Sequence, residues 1–481
     1  MHAGCQIVKC ATLPAAVDFR EGFVEAKMVN IAGLIPSQED LTVPLYLREA
    51  AVTLLQSLNS QHQSLLVEGP PGTGKSSLIW LWACTQAHQQ NVLWLHVDRQ
   101  FVCCTVLLAN GTVTKYENCA LANCHLEDIA KRGKVQICVV DGVSEENKAS
   151  TVGPARAWFF NQLEQSNVVR LVVVASSQIT VDDTDNFYKH SLPSWTVDEY
   201  RDALRNSQFR VAVRGQEGEE WLANRYFMAG GSARWMFGMT ENEVRTAADR
   251  WIGKAGDPHG LLSGTVADKA QQAVNHLLMK IGGNVFIVSE YVARALAARC
   301  DMGFITEASR RATSLQNPAF DGWVFEMDFI VRVKTNTMQL SLEDNGEETY
   351  DTSAVKTFWD PTDLKNVVSK DWLLPERWNQ GCYDAACLQD KCLLVFQVTR
   401  CKKHDLKLRY VTSLRDALVE LGNIIEDVRI CFVVPCGQEK PAYTITGRIA
   451  FYVDGELWLC DQNNSACVEH RWMTRAGHPK L

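Results

Sequence analysis

The sequence has 481 residues, of which 46% are hydrophobic and 22% are charged, with a formal net charge of −8. This length and composition are those of an ordinary globular protein with roughly two to four domains. The acidic charge excludes a uniformly basic surface for nucleic acid but is compatible with a local basic groove. The 17 cysteines lie in apolar runs such as 137–139, so we interpret them as buried thiols in a reducing, intracellular compartment.

We expect neither a membrane segment nor a classical secretion signal. No apolar run approaches the roughly 18 residues that a transmembrane helix needs, so a membrane is not an expected partner. The first residues, 1–5, lack the charged and apolar regions of a secretory signal. Residues 1–40 carry no motif and form an unassigned amino-terminal header in this prediction.

A glycine-rich loop is the first element with a chemical signature. A helix is predicted over residues 45–58, a buried strand over 64–68, and a second helix from Lys75 to about His88. The eight residues that join this strand to the second helix match the pattern G-x-x-x-x-G-K-[ST] at every position; they are Gly69, Pro70, Pro71, Gly72, Thr73, Gly74, Lys75 and Ser76. Such a loop presents unobstructed backbone N–H groups at a helix amino terminus and therefore predicts a polyphosphate site.

The residue types in this loop indicate ATP or GTP with Mg²⁺. We expect Lys75 to reach the β- and γ-phosphates and the Ser76 hydroxyl to bind the Mg²⁺ that bridges them. The apolar strand 135–141 ends in Asp141, which we predict as the second protein ligand of that ion. Many related ATPases carry a catalytic Glu at the next position, but here it is Gly142. Glu145 or Glu146 are the candidates to replace it, so fast hydrolysis is in doubt.

Further strands and a glycine pair complete the predicted nucleotide domain. A strand is predicted over 91–97, a hairpin over 101–114 around Asn110 and Gly111, and a strand over 168–175. Ser176, which follows the last strand, either touches the γ-phosphate or caps a helix. Arg234 follows the pair at 230–231 and is either a γ-phosphate sensor or a surface arginine.

Strands that alternate with helices predict an α/β fold with a parallel sheet, helices on both faces and the nucleotide at the strands' carboxyl ends. We assign residues 41–240 to this P-loop NTPase domain and 241–312 to a helical or winged-helix lid with helices over 266–281 and 288–298. Residues 313–481 form a separate carboxy-terminal α/β domain in this prediction.

The carboxy-terminal domain carries a second candidate site. Glu326 lies on a predicted helix, while Asp384 and Gln397 lie close together on a predicted hairpin, and the bases Lys402 and His404 follow. Glu326 and Asp384 are candidate ligands for one Mg²⁺ or Mn²⁺, which would activate water against a phosphodiester. The alternative is a plain surface hairpin with polar ends.

Four runs resemble those of Crinkler and retrotransposon-hot-spot type effectors: 67–76, 229–237, 317–323 and 397–399. The resemblance spans about residues 30–435. It implies an AAA+-like NTPase fused to a restriction-endonuclease-like domain, secreted by a route that the sequence does not display and acting on DNA in the host nucleus. It also implies metal ligands at Glu326, Asp384 and Gln397. The sequence has Thr399 where the common motif has Lys, so Lys402 or His404 would serve instead. The ubiquitin-like header of many Crinklers is not visible.

Two other metal sites and three functions stay open. A His-metal nuclease could use His404, Asn423 and His470, and zinc could bind Cys460, Cys467 and His470. The leading hypothesis is a nucleotide-gated, metal-dependent nuclease with DNA as its partner and a possible homo-oligomeric state. The alternatives are a nucleotide switch that binds DNA or a host protein without cleavage, and an NTPase that acts only as a scaffold or motor.

Overall fold

The computed structural model describes the following residues: 6–12, 28–31, 43–60, 63–98, 101–120, 126–144, 147–165, 169–175, 187–207, 209, 218–255, 276–281, 284–297, 299, 303–306, 318–335, 338–342, 347–376, 382–400, 403–435, 442–446, 449–453, 456–460 and 470–475. Contacts divide the chain into two compact units. The amino-terminal unit comprises Met1–Ala255 and Gly264–Val288, and the carboxy-terminal unit comprises Gly256–Ser263 and Ser289–Leu481.

The amino-terminal unit is built on an eight-stranded sheet. The described strands of this unit are, in chain order, β1 (Gln6–Thr12), β2 (Met28–Ile31), β3 (Val43–Tyr46), β4 (Ser64–Glu68), β5 (Val92–Asp98), β6 (Phe101–Leu107), β7 (Thr112–Ala120), β8 (Ile137–Val143), β9 (Arg170–Ala175), β10 (Tyr188–Ser191), β11 (Leu278–Ile281) and β12 (Asn284–Ile287). The order across the sheet is β1-β7-β6-β5-β8-β9-β4-β10. From β5 to β10 the neighbours run parallel, whereas β6, β7 and β1 extend the β5 edge in antiparallel fashion.

Helices cover both faces of this sheet. The described helices of this unit are α1 (Glu49–Leu58), α2 (Lys75–Gln86), α3 (Leu126–Arg132), α4 (Lys148–Glu164), α5 (Val197–Ala203), α6 (Glu219–Ala229), α7 (Ala233–Gly238) and α8 (Glu241–Ala255), of which α1 to α4 supply the side chains packed on the sheet. In β4, Leu65 and Val67 join the hydrophobic cluster that includes α1 and α2. Leu66 points to the opposite face and joins the cluster that includes Trp158 of α4. Because a central parallel strand is buried on both faces, its sequence is continuously apolar.

Two predicted helices differ from the structure. The helix predicted over 45–58 begins only at Glu49, because Val43–Tyr46 pairs with β2 as a strand. In the lid helix predicted over 266–281, residues 278–281 form β11, which pairs with β12 in a hairpin. A short apolar run does not by itself distinguish a strand from a helix, and here the partner strand decides. The helix predicted over 288–298 and the hairpin predicted over 101–114 are both confirmed.

The carboxy-terminal unit contains a second eight-stranded sheet. Its described strands are β13 (Met338–Leu342), β14 (Glu347–Tyr350), β15 (Ala354–Phe358), β16 (Asp371–Pro375), β17 (Ala385–Gln389), β18 (Cys392–Val398), β19 (Lys403–Lys407), β20 (Asp427–Val434), β21 (Ala442–Thr446), β22 (Ile449–Val453), β23 (Glu456–Cys460) and β24 (His470–Arg475). The sheet order is β14-β13-β24-β20-β18-β17-β16-β15. The polar stretch 343–352, predicted as an exposed loop, contains strand β14, whose Tyr350 is buried.

Successive side chains of the central strand β18 point to opposite faces of the second sheet, and a helix packs on each face. The described helices of the unit are α9 (Glu290–Ala297), α10 (Pro318–Lys334) and α11 (Leu408–Glu420), with a short 3₁₀ turn at Pro361–Asp363. Val395 joins the hydrophobic cluster that includes α11. Its neighbour Phe396 packs on the other face against Phe329 of α10, at 5.9 Å between ring centroids. This unit is therefore a mixed α/β domain. In the part of the chain that the structure describes, no helix is long and apolar enough to span a membrane.

We predict that acid destabilises the amino-terminal unit through His276. Burial and, to a smaller extent, the nearby charges of Arg234 and Arg250 together lower its pKa from 6.5 to about 4. The imidazole stacks on Trp251 with 4.3 Å between centroids. Between pH 6.5 and 4 the unfolded chain binds this proton and the folded chain does not, so the free energy of unfolding falls as pH falls through that window.

The check is urea unfolding of the intact chain at several pH values from 7 to 4. We expect His276→Gln to flatten the loss of stability between pH 6.5 and 4, because it removes a group whose protonation favours the unfolded state. His88→Gln, at an exposed position, is the control and is expected to leave the slope unchanged. Equal slopes in the wild type and His276→Gln would contradict the prediction.

Candidate functional site

The glycine-rich loop passes from β4 to α2 in a conformation that needs its glycines. Gly72 and Gly74 have φ values of 81° and 96°, in the left-handed region that side chains disfavour. A Cβ on Gly72 would lie 2.2 Å from the Ser232 hydroxyl, and one on Gly69 would lie 2.4 Å from the Leu192 carbonyl oxygen. The loop backbone is therefore packed directly against two other segments of the unit. The predicted strand–loop–helix arrangement is confirmed.

Lys75 opens helix α2 and folds back over the loop. Its ammonium donates hydrogen bonds to the carbonyl oxygens of Gly69 at 2.7 Å and Pro70 at 2.8 Å. Burial lowers the pKa of Lys75 from 10.5 to about 7, an effect that Asp141 opposes and that Arg234 and Arg48 increase. The two hydrogen-bond acceptors of this ammonium are neutral carbonyls. A phosphate bound in the loop would place a negative charge beside it and so favour its charged form.

Asp141 and Ser76 meet although they lie 65 positions apart. Asp141 lies two residues before the end of β8, and β9 lies between this strand and β4. The Ser76 hydroxyl donates to Asp141 Oδ1 at 2.8 Å, and His96 Nδ1 lies 2.8 Å from Asp141 Oδ2. A hydroxyl and a carboxylate beside a phosphate loop fit Mg²⁺, which takes one or two protein oxygens and completes its shell with phosphate and water. When bound, that ion would neutralise charge on the β- and γ-phosphates.

His96 is a site residue that the sequence interpretation missed. It is the register partner of Asp141 in the parallel pair β5–β8, so the two residues reach the same edge of the sheet. Its side chain is 41% exposed while that of Asp141 is 2% exposed. The available signal was the polar residue His96 near the carboxyl end of the predicted strand 91–97. The carboxyl ends of parallel strands meet at one edge of a sheet, so this position could have been placed beside Asp141.

Gly142 stands where a catalytic Glu would be expected, and the backbone explains why. Its φ is 84°, and a Cβ there would lie 2.4 Å from the Val97 carbonyl oxygen. The pairing of β8 with β9 is irregular between Asp141 and Val143. A side chain at this position is therefore excluded by both conformation and space. Glu145, Glu146 and Ser176, three further predicted residues, lie outside the described residues.

Arg234 lies beside the loop, as the sequence predicted. The Ala233 N–H donates to the Gly72 carbonyl at 3.0 Å, which fixes the start of α7 on the loop. The side chain of Arg234 is exposed and lies close enough to Lys75 to lower its pKa. A sensor of the γ-phosphate would need this combination of proximity and exposure, and the role itself stays a prediction.

Arg48 is a second residue that the sequence did not indicate. It is 2% exposed and joins the loop to residues 193–195. Its guanidinium donates to the carbonyls of Thr73 at 3.3 Å and Ser194 at 3.0 Å, and also to Pro193. It lies 5.3 Å from the Trp195 ring centroid. Since its carbonyl partners lie 25 or about 146 positions away, no local pattern marks it.

The carboxy-terminal candidates Glu326, Asp384 and Gln397 also come together, around an unexpected arginine. Gln397 Nε2 donates to Asp384 Oδ2 at 2.6 Å. Arg294 Nη2 donates to Glu326 Oε2 at 2.7 Å and to Asp384 Oδ1 at 2.8 Å. A third carboxylate, Glu290, lies 3.3 Å from the same nitrogen. We call Glu290, Arg294, Glu326, Asp384 and Gln397 the carboxylate cluster.

Burial dominates the electrostatics of the carboxylate cluster. It raises the pKa of Glu290 to about 7 and that of Glu326 well above its ordinary value, while Arg294 opposes both shifts. Among the described residues, no group of three or more His, Cys, Asp or Glu side chains is placed to hold a metal ion. The predicted carboxy-terminal Mg²⁺ or Mn²⁺ therefore does not fit this conformation, because a guanidinium nitrogen lies between its carboxylates.

The remaining metal candidates receive little support from the described residues. Lys402 and Cys467 lie outside them, as do the side chains of His404, Cys460 and His470. His404 is in β19 and His470 in β24, which belong to different sheets. Asn423 donates from its side-chain amide to the Leu418 carbonyl at 3.0 Å and so caps the end of α11. The compact hairpin and helix of a His-metal nuclease are not formed by these residues.

The parallel sheet, the loop and the pairing of Ser76 with Asp141 define a P-loop NTPase fold. No protein-family model matches the sequence, and no curated protein matches it. Similar solved structures include domain III of the replication initiator DnaA from Thermotoga maritima, with 16% identity, coverage of 47% of this chain and 88% of that chain, and a TM-score of 0.26. AMPPCP-bound DnaA from Aquifex aeolicus shows 12% identity, coverage of 55% and 81%, and a TM-score of 0.27. A RuvB variant from Thermotoga maritima shows 12% identity, coverage of 62% and 88%, and a TM-score of 0.26. These scores are too low to add to what the chain's own geometry shows.

We predict that Gly142→Ala destabilises the amino-terminal unit by at least about 1–2 kcal/mol, the cost of a left-handed conformation for a residue with a Cβ. The contact with Val97 adds to this cost. Urea unfolding measures the change. Gly253→Ala is the matched control, because Gly253 lies in helix α8 and a Cβ there would meet no described atom within 4 Å. We expect this control to gain about 0.5–1 kcal/mol. Similar effects of the two substitutions would contradict the stated conformation of Gly142.

Proposed function

We propose that the amino-terminal unit is a nucleotide-dependent switch that binds ATP or GTP with Mg²⁺ and hydrolyses it slowly. The observation that carries this proposal is the loop 69–76, packed at the start of α2 with Ser76 hydrogen-bonded to Asp141. An anion at a helix amino terminus is stabilised by free N–H groups and by the helix dipole.

The residues around the loop suggest how the switch senses its ligand. Lys75 now donates to two carbonyls of its own loop, and a nucleotide would offer it phosphate oxygens in their place. Arg234 sits on a helix whose first N–H is bonded to Gly72, so the position of α7 depends on the loop. Gly142 offers no carboxylate to orient water, which favours a long-lived bound state over rapid turnover.

We predict that Lys75→Ala weakens nucleotide binding at least about tenfold, because it removes a charge-assisted contact to phosphate. Titration of fluorescent ATP and GTP analogues in the presence of Mg²⁺ measures the affinity and also reveals which base is preferred. Lys131→Ala, at an exposed position of α3, is the control and should leave affinity unchanged. Asp141→Asn should remove most of the Mg²⁺ dependence. Equal affinities of the wild type and Lys75→Ala would refute the proposal.

A second candidate function concerns the carboxy-terminal unit, for which we propose an action on DNA. The assembly of Glu326, Asp384 and Gln397 into one cluster favours it, since these are the residues that the resemblance to Crinkler-type effectors assigns to a nuclease site. By the same resemblance we propose delivery into a host cell and action in its nucleus, with a possible homo-oligomeric state. A binder that does not cleave is the alternative.

We predict that the wild type nicks supercoiled plasmid in the presence of Mn²⁺ and a non-hydrolysable nucleotide and that Asp384→Asn does not, because the variant lacks a carboxylate of the cluster. Agarose electrophoresis and gel retardation on the same samples provide both readouts. Asp427→Asn, a change in the ion pair with Arg429 on β20, is the control. Retardation of intact plasmid by the wild type would instead identify a non-cleaving DNA binder. If the wild type neither nicks nor retards the plasmid, the remaining hypothesis is an NTPase that acts as a scaffold or motor.

A further inference from the structure

One nitrogen atom of Arg294 occupies the centre of the carboxylate cluster. Its Nη2 lies 2.7 Å from Glu326, 2.8 Å from Asp384 and 3.3 Å from Glu290. Oxygen ligands surround Mg²⁺ at about 2.0–2.1 Å and larger divalent ions at up to about 2.6 Å. An ion held between Glu326 and Asp384 would therefore overlap this nitrogen. The guanidinium and a metal ion are alternatives at the same place.

The carboxylate cluster also has more acceptor capacity than the arginine uses. Glu290 Oε1 is buried and accepts no hydrogen bond of normal geometry from the described residues. The side chains of Glu290 and Arg294 are only 9% and 7% exposed. Three carboxyl groups this close together cannot remain buried and ionised without a cation, because the desolvation penalty of each ion needs compensation. In this structure Arg294 supplies that positive charge.

The helix that carries Arg294 begins just after a segment tied to the nucleotide loop. The Gly231 N–H donates to the Val288 carbonyl at 3.1 Å, and two residues further on Ala233 is bonded to Gly72. Ser289 follows Val288 directly and caps α9, since its hydroxyl accepts from the Val292 N–H at 3.3 Å. Val288 is therefore hydrogen-bonded to the segment at 230–233, and the next residue along the chain, Ser289, caps α9.

We infer that Arg294 is a built-in cation that closes the metal site of the carboxy-terminal unit, and that nucleotide binding at the loop withdraws it through α9. The inference rests on the proposed function and adds its regulation. In the closed state Arg294 neutralises Glu326 and Asp384. In the open state a divalent ion takes its place between the same oxygens. Nucleotide binding and ion binding are coupled because both favour the same one of two positions of α9.

The test counts Mn²⁺ bound to the full chain by electron paramagnetic resonance of the free ion. Without nucleotide, we expect the wild type to bind no Mn²⁺ tightly and Arg294→Gln to bind one ion per chain. That ion should be lost in Arg294→Gln/Asp384→Asn. With a non-hydrolysable nucleotide, the wild type should bind two ions, one at each site, and Asp384→Asn only one.

Matched variants separate this inference from loss of folding and from failure of the proposed function. Arg332→Gln removes another arginine of the same unit, whose Nε lies 3.0 Å from Asp328, and should gain no ion. Thermal unfolding with and without Mn²⁺ shows whether Arg294→Gln is folded, and Mn²⁺ should raise its Tm but not that of Arg332→Gln. Arg294→Gln should bind nucleotide with the same affinity as the wild type. If the wild type binds no nucleotide, that result contradicts the proposed switch and leaves the role of Arg294 at the metal site to be judged by the Mn²⁺ counts.

Two results would overturn the inference. If folded Arg294→Gln binds no more Mn²⁺ than the wild type, Arg294 does not guard a metal site. If Arg294→Gln gains the ion but nucleotide-bound wild type does not, the link through α9 is wrong. A gain in both, abolished by Asp384→Asn, would support the whole inference.

Discussion

The contact between the loop backbone and its surroundings is the constraint on which the nucleotide unit depends. Gly72 leaves no room for a Cβ against Ser232, and Gly69 leaves none against Leu192. The buried guanidinium of Arg48 donates to the carbonyls of both Thr73 in the loop and Ser194, and so links the loop to the segment at 193–195. The loop is thus held through its own backbone, which packs closely on other segments and accepts a hydrogen bond from the Arg48 side chain. A segment held in this way transmits any change in its own conformation to its neighbours, because packed elements rearrange as units.

The same local chemistry decides what the unit does with its nucleotide. Asp141 accepts from Ser76 with one oxygen and contacts His96 with the other, so both oxygens have partners at the site. The next residue cannot carry a side chain, since Gly142 turns back toward Val97. Binding groups are therefore complete while the usual water-orienting carboxylate is absent from this strand. This combination suits a protein whose output depends on occupancy rather than on turnover.

The predictable features were those encoded in contiguous residues. The loop 69–76, a strand that carries Asp141 and the hairpin at 110–111 follow from local composition, and the structure contains each of them, although this strand continues past Asp141 to Val143. Arg48 and Arg294 could not be found in this way, because the partners of Arg48 lie from 25 to 151 positions away and two of the three carboxylates around Arg294 lie 32 and 90 positions away. The strand at 278–281 was missed because its pairing, not its composition, sets its conformation.

The two candidate metal sites differ in what an entering ion must displace. At the loop, Ser76 and Asp141 share one hydrogen bond, and rotation of a neutral hydroxyl is enough to present both oxygens to Mg²⁺. In the carboxylate cluster, a buried charged group must leave, and breaking a buried ion pair costs about 3–5 kcal/mol when one partner is removed. The first site can therefore load with nucleotide from solution, whereas the second requires work from elsewhere in the protein. Nucleotide binding supplies such an input only through a difference in affinity between the two states, and about 3–5 kcal/mol corresponds to a ratio of roughly a hundred- to several-thousand-fold.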